Sequence, residues 1–318
     1  VCLQPDGGVK LDTVGVPAPN VEVKIGDNGE VLVRGPMLLK EYYKRADATA
    51  ESIDAADALP LSLHRSDVRW WAAAARAGLE IARGHLEAGK QAYLHAMTVG
   101  AEHGVDVAMA IALLHRMLHD WDEGTLGDLH QLLPAEPMTG EPPILIAQGL
   151  VSAEAGDLAG ARVICDHLVA GTGALMAASP TAWPLVASVG ADLAWRTSHE
   201  DLARQLATKL SAHAGLGLSA SGFAYLGAAD RVLGLTVATL GRYDEALDHL
   251  ARAVEVDRRR GAPRWAARSA RAAAEVLDRR AEPGDTVCAA TMRSLADDLD
   301  LSTRSETTPS AGPGTPAT

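Results

Sequence analysis

The spacing of apolar residues changes along the chain, from a two-residue period near the N-terminus to a helical period further on. Val21–Ile25 alternates apolar and polar residues, and Val31–Arg34 does so in part. The Asn28–Gly29 pair between them suits a type I′ turn, so the two segments predict a β-hairpin. From about residue 67 the pattern is helical, and we expect no further strands. The last segment, 302–318, is rich in Ser, Thr, Pro and Gly, and we expect it to be disordered.

A short pattern recurs five times in the helical region. A turn residue is followed by an apolar residue and then by a small one. The clearest copies begin at Gly241 and Gly156, weaker copies at Gly84 and Ser198, and a degenerate copy at His119. Small residues let two helices approach closely, and glycine allows the chain to reverse. The pattern resembles the tetratricopeptide (TPR) repeat, whose period is about 34 residues. Its signature positions here are Gly149, Gly156, Ala161, Gly234, Gly241, Tyr243, Ala246 and Ala253.

Composition and charge narrow the class of protein. The chain has 318 residues, a formal net charge of −12, 47% hydrophobic residues and only 4% aromatic residues. Small apolar side chains favour closely packed helices over a β-sandwich. The acidic charge argues against a nucleic-acid partner. We see no membrane span and no signal peptide, and three distant cysteines argue against a disulfide framework. A cytoplasmic location is therefore expected.

Residues 11–54 carry several sub-motifs in a fixed order. These are Thr13–Ile25, Asn28–Pro36, Tyr42–Lys44 and Ala48–Ile53, the last of which leads into a short helix. The stretch resembles part of the adenylate-forming (AMP-binding) family, closest to the long-chain fatty acid–CoA ligases. The resemblance implies a piece from near the end of the large N-terminal domain of such an enzyme.

The same resemblance implies little activity for this chain. The family's phosphate-binding loop and magnesium motif are absent, and no match to its catalytic lysine follows. Glu41 stands where the family has Gly. Leu63–Val68 is similar to the family element whose Asp holds the ribose hydroxyls, which makes Asp67 a candidate for nucleotide binding. The alternative is structural: Ser66 or Asp67 acts as the N-cap of the helix that follows, which accounts for the polar residues at this position.

Residues from about 70 to 280 carry a second resemblance, strongest after residue 220. It rests on Gly227–Leu235, Gly241–Ala246 and Arg258–Arg268. These segments are similar to the C-terminal TPR-type region of bacterial multidomain regulators, which combine a LuxR-type DNA-binding domain or a nucleotide cyclase with a P-loop ATPase. Neither the P-loop motif nor a terminal helix-turn-helix is evident in this sequence. The resemblance implies a sensor or scaffold part of such a regulator.

Other residues with chemical potential have structural explanations. His115 and His119 share one helix face, but no third residue has the spacing of a metal ligand. Arg258–Arg260, with Arg264, Arg268 and Arg271, could bind an anion, although a solvated helix end explains this basic run better. We expect Cys165 in the core. We expect four tryptophans to pack between helices, with one or two of them lining a concave groove. They are Trp121, Trp183, Trp195 and Trp265.

These patterns predict a mostly α protein, a TPR-like α-solenoid of helical hairpins preceded by a short segment that contains a β-hairpin. The expected boundaries are a ligase-like segment at 1–55, a junction at 56–69, the repeat domain at 70–282, a terminal helix at 283–301 and a tail at 302–318.

The first hypothesis for function is a non-enzymatic module that binds a protein or peptide in a concave groove. It has no catalytic residue, cofactor or metal, and its oligomeric state is left open. The alternatives are an inactive or partial fatty acid–CoA ligase, or a chimeric or truncated gene product, which the initial Val also suggests.

Overall fold

The computed structural model describes residues 2–3, 16–17, 22–25, 31–34, 66–134, 142–170, 181–220 and 222–305. The chain divides into two compact units, Val1–Ser52 and Ile53–Thr318.

The described part of the first unit contains two pairs of antiparallel strands. The strands are β1 (Cys2–Leu3), paired with β2 (Val16–Pro17), and β3 (Glu22–Ile25), paired with β4 (Val31–Arg34). The pairing of β3 with β4 is the one that the alternating pattern predicts. The Asn28–Gly29 turn and the short helix expected around 48–53 lie outside the described residues.

The second unit is helical over most of its described length, which confirms the mostly α prediction. The helices are α1 (Ser66–Arg83), α2 (Leu86–Glu102), α3 (Ala108–Glu123), α4 (Pro142–Glu154), α5 (Leu158–Ala170), α6 (Trp183–Thr197), α7 (Glu200–Leu210), α8 (Ala229–Thr239), α9 (Tyr243–Arg259), α10 (Pro263–Arg280) and α11 (Asp285–Ser305). Two short 3₁₀ helices cover Leu126–Leu132 and Ser211–His213.

Consecutive helices are joined by tight reversals at residues with a positive φ. Gly84, Gly156 and Gly241 have φ values of 82°, 86° and 79°, and Ser198 has a φ of 53°. They separate α1 from α2, α4 from α5, α8 from α9, and α6 from α7, respectively. Glycine reaches this conformation without a Cβ clash, so glycine is the residue expected at such helix ends.

The fifth turn expected from the repeat pattern, at His119, is wrong. His119 lies inside α3, where it is 7% exposed and packs edge-on against Tyr93 with ring centroids 6.0 Å apart. The chain reverses five residues later at Gly124, which has a φ of 78°. The helix thus continues through the position where the pattern suggested a turn.

A β-hairpin interrupts the helical unit, so the expectation of no strands after residue 67 is wrong. β5 (Gly217–Ala220) pairs antiparallel with β6 (Ala224–Ala228). Neither strand contains a β-branched residue, so local propensity does not predict them. Neighbouring helices hold the hairpin, since the Ser188 hydroxyl donates to the Leu226 carbonyl at 2.8 Å.

The tip of this hairpin packs against the first helices of the unit. The Phe223 ring lies 5.1 Å from the Trp70 ring and 4.4 Å from the Trp71 ring, between centroids. His115 Nε2 donates to the Phe223 carbonyl at 2.9 Å. Burial lowers the pKa of His115, although the bond to Phe223 opposes this effect, so the imidazole is held neutral. His115 is thus a packed histidine that ties α3 to the tip of the hairpin.

Helices α3 and α10 also touch, although more than a hundred residues separate them. Trp121 and Trp265 pack edge to face with ring centroids 5.9 Å apart, and both are buried. Arg268 donates to Asp122 at 2.7 Å beside them. An open stack of helical hairpins would keep its early and late helices apart, so these contacts are not expected from the predicted solenoid.

The C-terminal helix is longer than expected. α11 runs to Ser305, so the predicted end at residue 301 is wrong and the first residues of the expected tail are helical. Thr303 is only 2% exposed and lies near Gly84, which explains why the helix continues. Residues after 305 lie outside the described part. In that part, none of the helices combines the length and apolar content needed to cross a membrane.

Candidate functional site

A cleft of about 300 Å³ lies where α3, α4, α6, α8 and α10 converge. Four of these helices bring charged residues and two bring tryptophans to its wall. The residues that define it are Trp121, Glu154, Trp195, Arg231, Arg268 and Glu275. We call this cavity the central cleft.

Arg231, at the wall of the cleft, is held by a two-pronged ion pair. Its Nη1 and Nη2 donate to the two carboxylate oxygens of Asp192 at 2.7 and 2.6 Å. Arg231 is 3% exposed. Burial alone would lower the pKa of Arg231, but Asp192, with Asp257 and Glu275 nearby, raises it, so the guanidinium stays charged. Its Nε–H has no acceptor among the described residues.

Two indole N–H groups fix two carboxylates of the cleft. Trp121 Nε1 donates to Glu154 at 3.0 Å, and Trp195 Nε1 donates to Glu275 at 2.8 Å. Glu154 also accepts from Arg196 at 2.5 Å. Because an indole in a packed helix has little rotational freedom, each carboxylate is presented in a defined orientation.

Arg268 links the cleft to the contact between α3 and α10. Its guanidinium carbon lies 3.6 Å from the centre of the Trp121 ring, while Nη2 donates to Asp122. Arg271 forms an ion pair with Asp300 of α11. The expectation that this basic run is a solvated helix end is therefore wrong for Arg264 and Arg268, whose side chains are 12% and 17% exposed and pair with Asp300 and Asp122. Arg271 is paired but stays 43% exposed.

The repeat signature lies within the helix pairs α4–α5 and α8–α9, away from the wall of the central cleft. A Cβ on Gly234 would lie 2.7 Å from Leu250 Cγ, and one on Gly149 would lie 2.8 Å from Leu193 Cδ1. Gly156 and Gly241 occupy the turns. The remaining members are Tyr243, which is half-buried at the start of α9, and Ala161, Ala246 and Ala253, which are fully buried.

The nucleotide candidate Asp67 stays a prediction, and the two histidines of α3 have partners of their own. Asp67 is the second residue of α1, and the surroundings of its side chain lie outside the described part. His115 and His119 are buried, and each has a hydrogen-bond partner other than a metal. Across the described ranges, no group of three or more His, Cys, Asp or Glu side chains is placed to hold a metal ion.

The sequence indicated only part of the cleft. Trp121 and Trp195 were expected in helix packing with a possible groove role, and both line the cleft. The sequence does not indicate Glu154, Asp192 and Arg231, because their partners lie 33 or more residues away in the chain. One signal in the sequence points to a buried pair: Asp192 lies on the otherwise apolar helix α6, and Arg231 lies on the otherwise apolar helix α8.

Two curated proteins are similar to a short part of the chain. Both bear the name "Putative fatty-acid–CoA ligase fadD11" and come from Mycobacterium tuberculosis, one from strain CDC 1551 / Oshkosh and one from strain H37Rv. Each is 49% identical over 45 residues, which is 14% of this chain and 8% of the relative. The chain thus spans only a small fraction of the curated relatives it matches. The finding supports the resemblance of a segment to an AMP-binding ligase fragment.

The remaining comparisons give no assignment. No family model matches the chain. No solved structure matches it either. The similarity of residues 70–280 to bacterial regulators therefore stays a prediction.

Proposed function

We propose that the helical unit is a non-enzymatic, TPR-like binding module that takes a peptide segment of a partner protein in the central cleft. The observation that carries the proposal is the cleft itself, with oriented carboxylates, arginines and indoles around a volume of about 300 Å³. That volume is at the small end of ligand sites and accommodates one or two side chains. Trp and Arg are also the residues that most often dominate binding to protein partners.

The composition of the wall favours binding over catalysis. The residues that line the cleft include no Ser, Thr, Cys, Lys or His, and its three carboxylates are each held by an indole or an arginine. Its arginines are neutralised by carboxylates, and both indole N–H groups are occupied. As the similarity to bacterial regulators suggests, such a module would act as the sensor or scaffold part of a larger signalling protein.

A peptide library tests the proposal. We expect peptides selected from a displayed random library to bind the full chain and to lose about tenfold or more in affinity for Ala272→Trp, which fills the cleft from α10. Ala251→Trp, on the exposed face of α9, is the matched control and leaves affinity unchanged. Circular dichroism checks that both variants fold. Equal binding to wild type and Ala272→Trp would show that the cleft is not the binding site.

The ligase match favours a second candidate, in which the chain retains part of an ATP-dependent carboxylate activation. The 49% identity over 45 residues is the observation behind it. Incubating the purified chain with ATP, a long-chain fatty acid and CoA tests it directly. Pyrophosphate release above that of a reaction without fatty acid supports this candidate, and its absence argues against it.

A further inference from the structure

Among the described residues, one carboxylate of the central cleft, Glu275, forms no direct ion pair with an arginine or lysine, although its charge acts on Arg231. Each arginine that lines the cleft has a carboxylate partner, namely Arg196 with Glu154, Arg231 with Asp192, Arg268 with Asp122, and Arg271 with Asp300. Glu275 accepts only the indole N–H of Trp195 and forms no ion pair among the described residues. The lining itself carries four arginines and three carboxylates, and Asp122 and Asp300 compensate two of these arginines from outside it, so Glu275 is the lining carboxylate left without an ion-pair partner.

Hydrogen bonding makes Glu275 a directed group. Trp195 Nε1 binds one carboxylate oxygen, Oε2, at 2.8 Å, which leaves Oε1 for another donor. The wall thus offers one acceptor for a cation, Glu275 Oε1.

The tryptophan rings are less available to a cation than this carboxylate is. Arg268 already lies 3.6 Å from the Trp121 ring centre, and Arg279 lies 3.6 Å from the Trp195 ring centre. The protein's own guanidinium groups thus occupy a face of each ring. A cationic ligand would gain more from an ion pair with Glu275 than from stacking.

We propose that the central cleft recognises a basic side chain, Arg or Lys, of the bound segment through an ion pair with Glu275. The inference rests on the proposed function and names the chemistry of its partner. An acidic segment is disfavoured because every arginine of the cleft is already neutralised, so a second carboxylate would have to displace the first.

Fluorescein-labelled octapeptides of alternating sequence test this specificity by anisotropy at 0.15 M salt. The probes are (Ala-Arg)₄, (Ala-Gln)₄ and (Ala-Glu)₄. We expect (Ala-Arg)₄ to bind the full chain about tenfold or more tightly than (Ala-Gln)₄, and (Ala-Glu)₄ to bind most weakly. Tightest binding by (Ala-Glu)₄ would overturn the inference.

Because the chain carries a net charge of −12, a matched variant must separate the cleft from overall attraction. Glu275→Gln removes one negative charge and keeps an acceptor for Trp195, so the fold is retained. Because Glu275 is itself exposed, we expect the loss of its charge to weaken (Ala-Arg)₄ binding about fivefold. Glu255→Gln removes the same charge from the exposed face of α9 and changes affinity less than about twofold. Equal effects of the two variants would reject Glu275 as the recognition group.

The two proposals fail in different ways. If library peptides depend on the cleft, as judged by Ala272→Trp, but are not basic, the peptide-binding function stands and the basic specificity is wrong. If Ala272→Trp changes nothing, the peptide-binding function itself is wrong.

Discussion

Asp257 on α9 is a fully buried acid whose charge acts on Arg231 of the central cleft. The Tyr225 hydroxyl of β6 donates to Asp257 Oδ1 at 2.6 Å, while Oδ2 has no partner among the described residues. Burial raises the pKa of Asp257 from 3.8 to about 7, although the Tyr225 bond and the charge of Arg231 act in the opposite direction. The folded protein therefore favours the protonated carboxyl.

This pKa predicts how stability depends on pH. Because the folded-state pKa is raised, the folded protein binds more protons than the unfolded chain between pH 3.8 and about 7. The contribution of Asp257 to the free energy of unfolding is fully present below that window. It is lost as pH rises through the window, by up to about 1.4 kcal/mol per pH unit. We expect the urea midpoint, followed by circular dichroism, to fall between pH 5 and pH 8.

Asp257→Asn is the control, since it keeps an acceptor for Tyr225 and cannot ionise. The variant should show a flatter dependence of the urea midpoint on pH over the same range. An unchanged slope would mean that another group causes the effect. Asp230 is not expected to contribute there, because burial, which would raise its pKa, is outweighed by bonds from His249, Gly215 and Arg252 that lower it.

The sequence does not identify these residues as a site. Asp257 directly precedes three arginines, so it has the local pattern of a solvated helix end. Its burial depends on Tyr225, which lies 32 residues earlier on a strand that was itself not predicted. The indoles could be expected inside because of their size, but their carboxylate partners come from other helices, and helix periodicity does not specify which helices meet.

At the scale of helices, small residues set how closely two partners approach. A Cβ on Gly234 of α8 would lie 2.7 Å from Leu250 Cγ and 3.2 Å from the Ala246 carbonyl. Leu250 is fully buried, so it has little room to move. Gly190 of α6 differs, because its nearest neighbour, Leu206 Cδ1, would be 3.3 Å away and ends a side chain.

The contrast gives a prediction for two glycine-to-alanine variants. We expect Gly234→Ala to destabilise the protein by about 1–3 kcal/mol through overpacking. Gly190→Ala should be neutral or stabilising by up to about 1 kcal/mol, because alanine favours the helix. Urea unfolding of both variants measures the difference. If both behave alike, α8 and α9 do not pack as closely as described.

Helices and turns could be predicted where the sequence pattern that specifies them involves only neighbouring residues. Turn glycines and apolar periodicity are properties of adjacent residues, so most reversals and helices follow from the sequence. The hairpin of β5 and β6 does not, because strands built from Gly, Ala, Ser, Leu and Tyr have no clear preference of their own. They are strands because Ser188 and Asp257 bind them and because Phe223 fits against α1.

At the scale of the helical unit, the contact between α3 and α10 joins its early and late parts. Asp122 and Arg268 are 146 residues apart, and their side chains are 10% and 17% exposed. Whether such distant helices meet depends on the summed angles between all the helices in the intervening chain. No local pattern encodes that sum, so a repeat signature alone predicts an array without saying whether its ends touch.

A double-mutant cycle on Asp122→Asn and Arg268→Gln measures this contact. A largely buried, hydrogen-bonded pair should show a coupling energy of about 1–3 kcal/mol in urea unfolding. Each single variant also loses other contacts, such as Arg268 stacking on Trp121, and the cycle removes those from the result. The exposed pair of Glu200 and Arg204, with side chains 59% and 55% exposed, is the control and should couple by less than about 0.5 kcal/mol.

Coupling as weak as that of the control would mean that α3 and α10 do not meet in solution, and the central cleft would then lose Trp121 from its wall. Strong coupling would make the contact part of the folded core, so that a peptide in the cleft would bind between helices that the fold already holds together.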